Sequence, residues 1–440
     1  MTSTNEAPNF EIYFGDLLDF MRYCKIWKPD KFSAKKNILV TLTVGILLAS
    51  DVAIIVTTLI DFKNASENLT SFAAYVGPLC LQCIGLIKWS YCIWKISDIA
   101  QLVEILTRCH SLSMKINDND SGWKKYKEEM KATRLHYLIF LYAWLWLCVY
   151  GILHWCSNAI ILEIKEEGFT KKTLTDAYNL TRTRYLPYLG WRPWDISENT
   201  GYFCLFFVQF IGGLSSALGS ITFDVFYIAS LMIICAHLRY LNDSLTDVKD
   251  GVTFRSATMT LNFELKLKYC VDHHNEILTF LNALEILASP AMFVQCFENI
   301  IVLCLVSLEA STVEVNTDLK TIIKLWSMVE YFLSVVAQLF VYCYYATEIR
   351  TLGLQIADSV YLSNWEQVTC SYTKCEASHS TWRINFLIQM LILRSQKAIL
   401  LTGGPFYVLS LETFKSIVGL AMSNSVILRQ VVEEKNGIET

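Results

Sequence analysis

The sequence predicts an all-α membrane protein with seven transmembrane helices, the N-terminus cytoplasmic, the C-terminus extracellular, and a separate cytoplasmic helix ahead of the last crossing. Three observations carry that expectation. Of 440 residues, 53% are hydrophobic and 18% charged, against roughly 25% charged in ordinary soluble proteins, and the mean hydropathy is +0.36. The apolar residues gather into blocks near the length of about 20 residues that a helix needs to cross a bilayer. Lys and Arg in alternate connecting segments favour the side holding the N-terminus by about two to one.

Seven blocks are placed at 38–60, 69–94, 134–161, 201–236, 286–310, 321–347 and 405–429. Residues 1–37 form a cytoplasmic segment with acidic residues and no basic leader ahead of an apolar run, so the first crossing is expected to act as its own targeting signal. Crossings one to six fill 38–347. Within that unit, 95–133 and 237–285 read as cytoplasmic helical extensions. The first is two helices parted by the turn cluster Asp118 to Gly122, the second of them with a wet face of Lys124, Lys125, Glu128 and Glu129. The other spaces apolar residues at helical period through "LNFELKLKYCVDHHNEILTFLNALEIL". The fourth block outruns the hydrocarbon, and the seventh is the weakest by hydropathy.

Residues 348–404 form a further cytoplasmic segment. It ends in a short apolar helix, "WRINFLIQMLILRSQKAIL" at 382–400, too interrupted by Arg383, Arg394 and Lys397 to cross easily. Gly403, Gly404 and Pro405 break it from the seventh block at 405–429, Pro405 being acceptable in a first helical turn, and 430–440 is left as an extracellular tail. Sequons at Asn64, Asn68 and Asn179 fall in segments assigned outside and are glycosylation candidates; a fourth, at Asn242, falls inside.

Chemistry of an enzymatic kind has no positive support. Phosphate-cradling and nucleophile motifs are not found, and no basic run interleaved with aromatics points to nucleic acid. Fifteen cysteines are scattered, with Cys80, Cys148, Cys204 and Cys304 inside apolar blocks as small fillers, so no metal site and no cofactor are expected. His273 and His274 project about 100° apart on a helix and read as surface polar residues.

Polar residues within the blocks are the better leads, because each costs free energy in lipid unless it faces protein or water. Asp51, Lys88, Gln209, Asp224, Glu298, Glu330 and Gln338 qualify, with Lys88 near enough to a helix end to snorkel. A second set is aromatic. Phe72, Tyr75, Trp146, Tyr150, His154, Tyr202, Phe206, Phe210 and Tyr331 share a depth in the outer half, either as interfacial anchors in contact with membrane lipid or as the wall of a cavity for a small apolar molecule. A third set lies in the last block, where Glu412, Ser416, Gly419 and Ser423 follow offsets of 4, 3 and 4 along one stripe. Such a stripe serves a helix contact or lines water in a pore built from several subunits.

The segments "LRSQKAILLTGG" (393–404) and "FYVLSLETFKSIVGLAMSNSVILRQ" (406–430) resemble the C-terminal signature of insect odorant receptors: a basic Arg-Ser-Gln-Lys turn, a Ser-Leu-Glu-Thr-Phe start to the last helix and a Ser-containing end. The resemblance implies a subunit of a ligand-gated, poorly selective cation channel, a tetramer whose last helices line the pore and whose cytoplasmic helices anchor it. It implies a small volatile organic ligand, a co-receptor subunit as partner in a heterotetramer, permeant cations, and a plasma-membrane place in sensory-neuron dendrites. The short 237–285 segment is similar to that of the odorant-recognising partner rather than the co-receptor. Ser423-Asn424-Ser425 replaces the family's Ser-Tyr-Ser, and Lys415 stands where a small residue is usual. Two readings from other classes are a secondary transporter, which should show paired broken helices in two repeated halves, and a G-protein-coupled receptor, which shares only the count of crossings.

Overall fold

The computed structural model describes residues 10–28, 31–65, 69–116, 120–173, 184–246, 257–312, 319–363, 365–366 and 378–438. They form an all-α bundle: α1 (Glu11–Tyr23), α2 (Ala34–Ile60), α3 (Phe62–Ala65), α4 (Leu69–Trp94), α5 (Ile96–Ile116), α6 (Asp120–Thr173), α7 (Asn199–Thr246), α8 (Ala257–Thr312), α9 (Leu319–Tyr361), α10 (Ser378–Ser395) and α11 (Leu411–Ile438). Among the described residues, six helices are long and apolar enough to cross a membrane: α2, α4, α6, α7, α8 and α9. Helix α6 begins at Asp120, inside the turn cluster expected at Asp118 to Gly122, and α7 and α8 both run on past the apolar blocks predicted for them.

Helix α7 is the axis of the bundle. In its most apolar stretch 89% of residues are buried, against 17% in α2, whose Ile38, Leu39, Leu42 and Ile46 point outward. Apolar burial supplies little drive between helices already in lipid, so close backbone approach and polar contacts must hold them. Glycines provide the approach. A Cβ on Gly219 of α7 would lie 2.4 Å from the Gly85 carbonyl oxygen of α4, and one on Gly85 would lie 2.3 Å from that of Ser216. Gly212 gives α2 the same access, since a Cβ there would meet Ile54 at 2.3 Å.

At one end of the bundle α1 packs across α5, α6 and α7. Tyr137 donates to the Tyr13 carbonyl at 2.6 Å, and Arg134 pairs with Asp16 at 2.7 Å. This α1 end also holds a buried histidine cluster. His237 Nδ1 and His273 Nε2 lie 3.1 Å apart, both 3.2 Å from the Ser113 hydroxyl, and His110 Nδ1 lies 2.5 Å from the Tyr126 hydroxyl. The expectation that His273 and His274 are surface residues is therefore corrected: they are 0% and 2% exposed. Their helix is covered by α5 on one side and α10 on another, which a single amphipathic pattern does not reveal. Burial pushes the His273 imidazole down to about 3, with His274 and His110 adding to the effect, and His274 down to about 4.

The break before the last helix is also more elaborate than expected. Thr402 and Val408 form an antiparallel bridge, the Gly403 N–H donates to the Tyr407 carbonyl at 3.0 Å, and that of Leu409 to Leu401 at 2.8 Å. Gly404 turns this hairpin at φ 70, a backbone region that favours glycine. Pro405 consequently lies in the hairpin and not in a first helical turn, and α11 begins at Leu411. Ser410 caps it by accepting from the Thr413 N–H at 3.1 Å, and Glu412 in the first turn complements the helix dipole.

Candidate functional site

Opposite the α1 end, residues 184–198 of the connection between α6 and α7 fold back into the bundle. They are pinned by Arg184, which donates to Glu163 of α6 at 2.9 Å, to the Ile196 carbonyl at 3.1 Å and to Asn199 at 3.0 Å, and lies 4.2 Å from the Tyr202 ring. Further along, the backbone is satisfied group by group, as a buried chain requires. Trp155 donates to the Pro187 carbonyl at 2.7 Å, Thr58 to that of Leu189 at 3.1 Å, and the Trp191 N–H donates to Thr57 at 2.8 Å. Gln209 of α7 grips Tyr188 at both ends of its peptide, accepting from its N–H at 3.1 Å and donating to its carbonyl at 3.0 Å.

That grip carries the Tyr188 side chain inward. A Cβ on Gly213 would lie 2.6 Å from its hydroxyl, and Gln82 of α4 lines the same cavity as Tyr188. Tyr188 is thus a plug delivered by a loop, a role not anticipated in the sequence. Its signal was present in "YLPYLGWRPW" (185–194), where apolar and aromatic residues crowd a segment outside the predicted crossings.

The nine predicted aromatic-set residues divide. Tyr75 and Tyr331 approach the Tyr188 region: Tyr75 donates to Asp61 at 2.7 Å, and the Tyr331 hydroxyl is 3.4 Å from the Gly77 carbonyl. Phe72 packs on Phe62 with ring centres 6.1 Å apart. Tyr202 and Phe206 sit beside Arg184, and Phe210 is half-buried on α7. Trp146, Tyr150 and His154 stack along α6 at 5.4 and 5.9 Å. Trp146 is on the outer surface of the bundle, 67% exposed, while His154 turns inward to Glu330 of α9 at 2.8 Å.

Deeper in the bundle the polar leads converge. Lys88 of α4, expected to snorkel, is fully buried and pairs with Asp224 of α7. Gln338 of α9 donates to the other Asp224 oxygen and lies 3.3 Å from the Tyr342 hydroxyl. Gln295 of α8 donates to Glu298 and Asn299, both at 2.8 Å, and lies 3.4 Å from Gln338. Four helices are thereby joined by one network.

The break residues dock on α8. Thr402 gives its N–H to the Glu285 carboxylate at 3.0 Å and its hydroxyl to the same group, while the Gly404 N–H donates to Ser289 at 3.0 Å. Helix α11 then turns Ile417 and Ala421 inward. Glu412, Ser416, Gly419 and Ser423 are all exposed, as is Lys415. Asn68 and Asn179 lie outside the described residues, as does the Asn64 side chain. Asn242 is buried and structural, donating to the Leu352 carbonyl at 3.1 Å and accepting from Ser359 at 2.8 Å. Cys80 and Cys83 share a C-x-x-C spacing on α4, and both are free thiols.

The fold and site define a polytopic all-α membrane bundle with a loop-plugged polar site at one end, a buried network across four helices and a hairpin leading to a last helix. Residues 68–422 match the family described as 7tm Odorant receptor, and the chain belongs to that family. Odorant receptor 10 of Aedes albopictus is 22% identical over 57% of this chain and 62% of its own length, so the match spans less than two thirds of that relative. The odorant receptor coreceptor of Anopheles gambiae is 20% identical, over 60% of this chain and 68% of its own. The fold is similar to that of the insect olfactory receptor OR5 from Machilis hrabei, alone and in complex with eugenol. The TM-scores are 0.73 and 0.72, at 14% identity, with 97% of this chain and 100% of that one covered.

Proposed function

We propose that this chain is the odorant-recognising subunit of a ligand-gated, non-selective cation channel in the plasma membrane of sensory-neuron dendrites. It works in a heterotetramer with a co-receptor subunit. The α1 end is cytoplasmic, the 184–198 loop extracellular, and α11 is the seventh crossing, bringing the C-terminus outside.

The observation that carries this reading is the course of α9. The helix bears Tyr331 beside the loop-plugged site and Gln338 in the buried network, and the Thr347 hydroxyl accepts from the Leu411 N–H at 3.1 Å, at the first turn of α11. A small volatile ligand that displaces or reorients Tyr188 shifts α9, and α9 holds the start of the proposed pore helix. Differential affinity for the two arrangements supplies the gating energy. Tyr75, Tyr188 and Tyr331 are the ligand contacts we favour within the aromatic set. The exposed stripe of Glu412, Ser416, Gly419 and Ser423 is available to line the pore or meet a neighbouring subunit. Asn64, Asn68 and Asn179 are the proposed glycan sites.

Whole-cell current in response to an odorant panel, with and without a co-receptor, tests the proposal. Ligand-evoked cation current that requires the co-receptor is the expected result. Uptake of ligand without current would favour a transporter instead.

A further inference from the structure

We infer that the cavity between α2, α4 and the Tyr188 loop is a head-group site for a small protonated amine, an inference that rests on the odorant-gated reading above and names a ligand class for it. Three features of the site lead there.

First, the cavity is water-sized, about 10 Å³, with Ile54 and Thr58 of α2, Leu79 and Gln82 of α4 and Tyr188 among its walls. An ammonium head is of that size. Its short hydrocarbon tail fits the apolar wall of Ile54 and Leu79 once the Tyr188 ring gives way.

Second, buried acceptors in the wall and in the turn beneath it have no partner. Gln82 Oε1, in the wall, has no hydrogen-bond partner among the described residues, and neither has either oxygen of Asp51. Asp51 lies on the buried stripe that continues through Ile54 and Thr58, at offsets of 3 and 4, so its carboxylate stands one turn beneath the cavity. It is 0% exposed and Gln82 2%. A buried acceptor left unpaired costs on the order of 1–3 kcal/mol, and more for a charged group.

Third, three donors on the surrounding helices are committed elsewhere. Thr58 donates to Leu189, the Gln209 amide to Tyr188, and Lys88 to Asp224. The two Asp51 oxygens and Gln82 Oε1, left without partners, match the three N–H groups and single charge of a primary ammonium. An alcohol of the same length offers one donor and no charge.

The test uses the full chain co-expressed with a co-receptor and compares a primary alkyl amine with the alcohol of equal chain length. A half-maximal concentration at least about tenfold lower for the amine is expected, a difference of about 1.4 kcal/mol. Asp51→Asn should erase that preference while leaving responses to neutral odorants. Gln82→Leu keeps the carboxylate and should reduce the preference in part, and it serves as the readout if Asp51→Asn does not reach the surface. Equal potency of amine and alcohol in the unsubstituted receptor overturns the inference, as does an amine preference that survives Asp51→Asn or, where only Gln82→Leu reaches the surface, one that Gln82→Leu does not reduce. Absence of current to every ligand, neutral ones included, would instead be a failure of the channel reading.

Discussion

Lys88 and Asp224 stand 136 residues apart in sequence and form an ion pair with both side chains fully buried. The pair ties α4 to α7, and Gln338 extends it to α9. Removing one partner strands a charge in a low-dielectric interior, at a cost of about 3–5 kcal/mol. Lys88→Met and Asp224→Leu are each expected to lower the thermal transition of detergent-solubilised receptor sharply. The double substitution should recover most of the loss, because neither charge is then left alone; size-exclusion melting curves distinguish the outcomes.

Two glycines should behave in opposite ways. Gly219 faces the Gly85 carbonyl with no room for a methyl group, whereas nothing lies within 4 Å of a Cβ on Gly419 in the isolated subunit. Gly219→Ala is expected to destabilise by about 1–3 kcal/mol through overpacking. Gly419→Ala should leave subunit folding unharmed and gain helix propensity of up to about 1 kcal/mol. A change in conductance for Gly419→Ala would then locate that position at the pore or a subunit contact.

The hairpin before α11 predicts a gating defect. Glu285 receives both the N–H and the hydroxyl of Thr402, and hydrogen bonds to a charged group contribute about 1.5–3 kcal/mol each. Glu285→Ala should raise the half-maximal odorant concentration and reduce maximal current at unchanged surface level. An unaltered dose-response curve would uncouple the hairpin from gating.

Acid sensitivity is expected at the α1 end. His273 is held neutral, its pKa pushed down to about 3 by burial first and by His274 and His110 second, while an unfolded histidine titrates near about 6.5. Since the folded value is the lower one, the stability of the neutral ring is complete above about pH 6.5. It is lost as pH falls from there toward 3, at up to about 1.4 kcal/mol per pH unit. Protection factors of amides in α5 and in α8 around His273, corrected for the intrinsic pH dependence of exchange, should fall between pH 7.5 and 5.5, and His273→Asn should blunt the change.

Lys415 offers a test of pore geometry. It is exposed near the start of α11, and a cation in the conduction path would repel permeant ions. Single-channel conductance of Lys415→Gln assemblies should match that of the unsubstituted channel; a rise would place the side chain on the axis.

Much of the architecture was legible because lipid imposes it. Long apolar runs had to be helices, and the turn cluster at Asp118 to Gly122 marked the start of α6. The offsets of Glu412, Ser416, Gly419 and Ser423 put those residues on one exposed face of α11. What stayed hidden depends on partners distant in sequence. Lys88 reads as a snorkelling residue until Asp224 is seen beside it, and His273 as a surface residue until α5 lies over it. Gly403 to Pro405 read as a simple helix break because two short-range backbone hydrogen bonds and a dock onto Glu285 leave no periodic trace. The site was missed for the same reason, since Tyr188 belongs to a loop whose depth is set by Gln209, a residue chosen only for its cost in lipid.

The distance in sequence between Lys88 and Asp224 also has a meaning in time. A ribosome adding about 5–20 residues per second needs roughly 7–27 s to pass from one to the other. During that interval α4 has emerged with a lysine on a face that will later meet α7, and α7 does not yet exist to neutralise it. Until then that lysine must stay close to headgroups, water or the insertion machinery. The assembly of this bundle is therefore timed by a charge that waits for its partner, and lengthening the α6–α7 connection would lengthen the wait before it altered any contact in the finished fold.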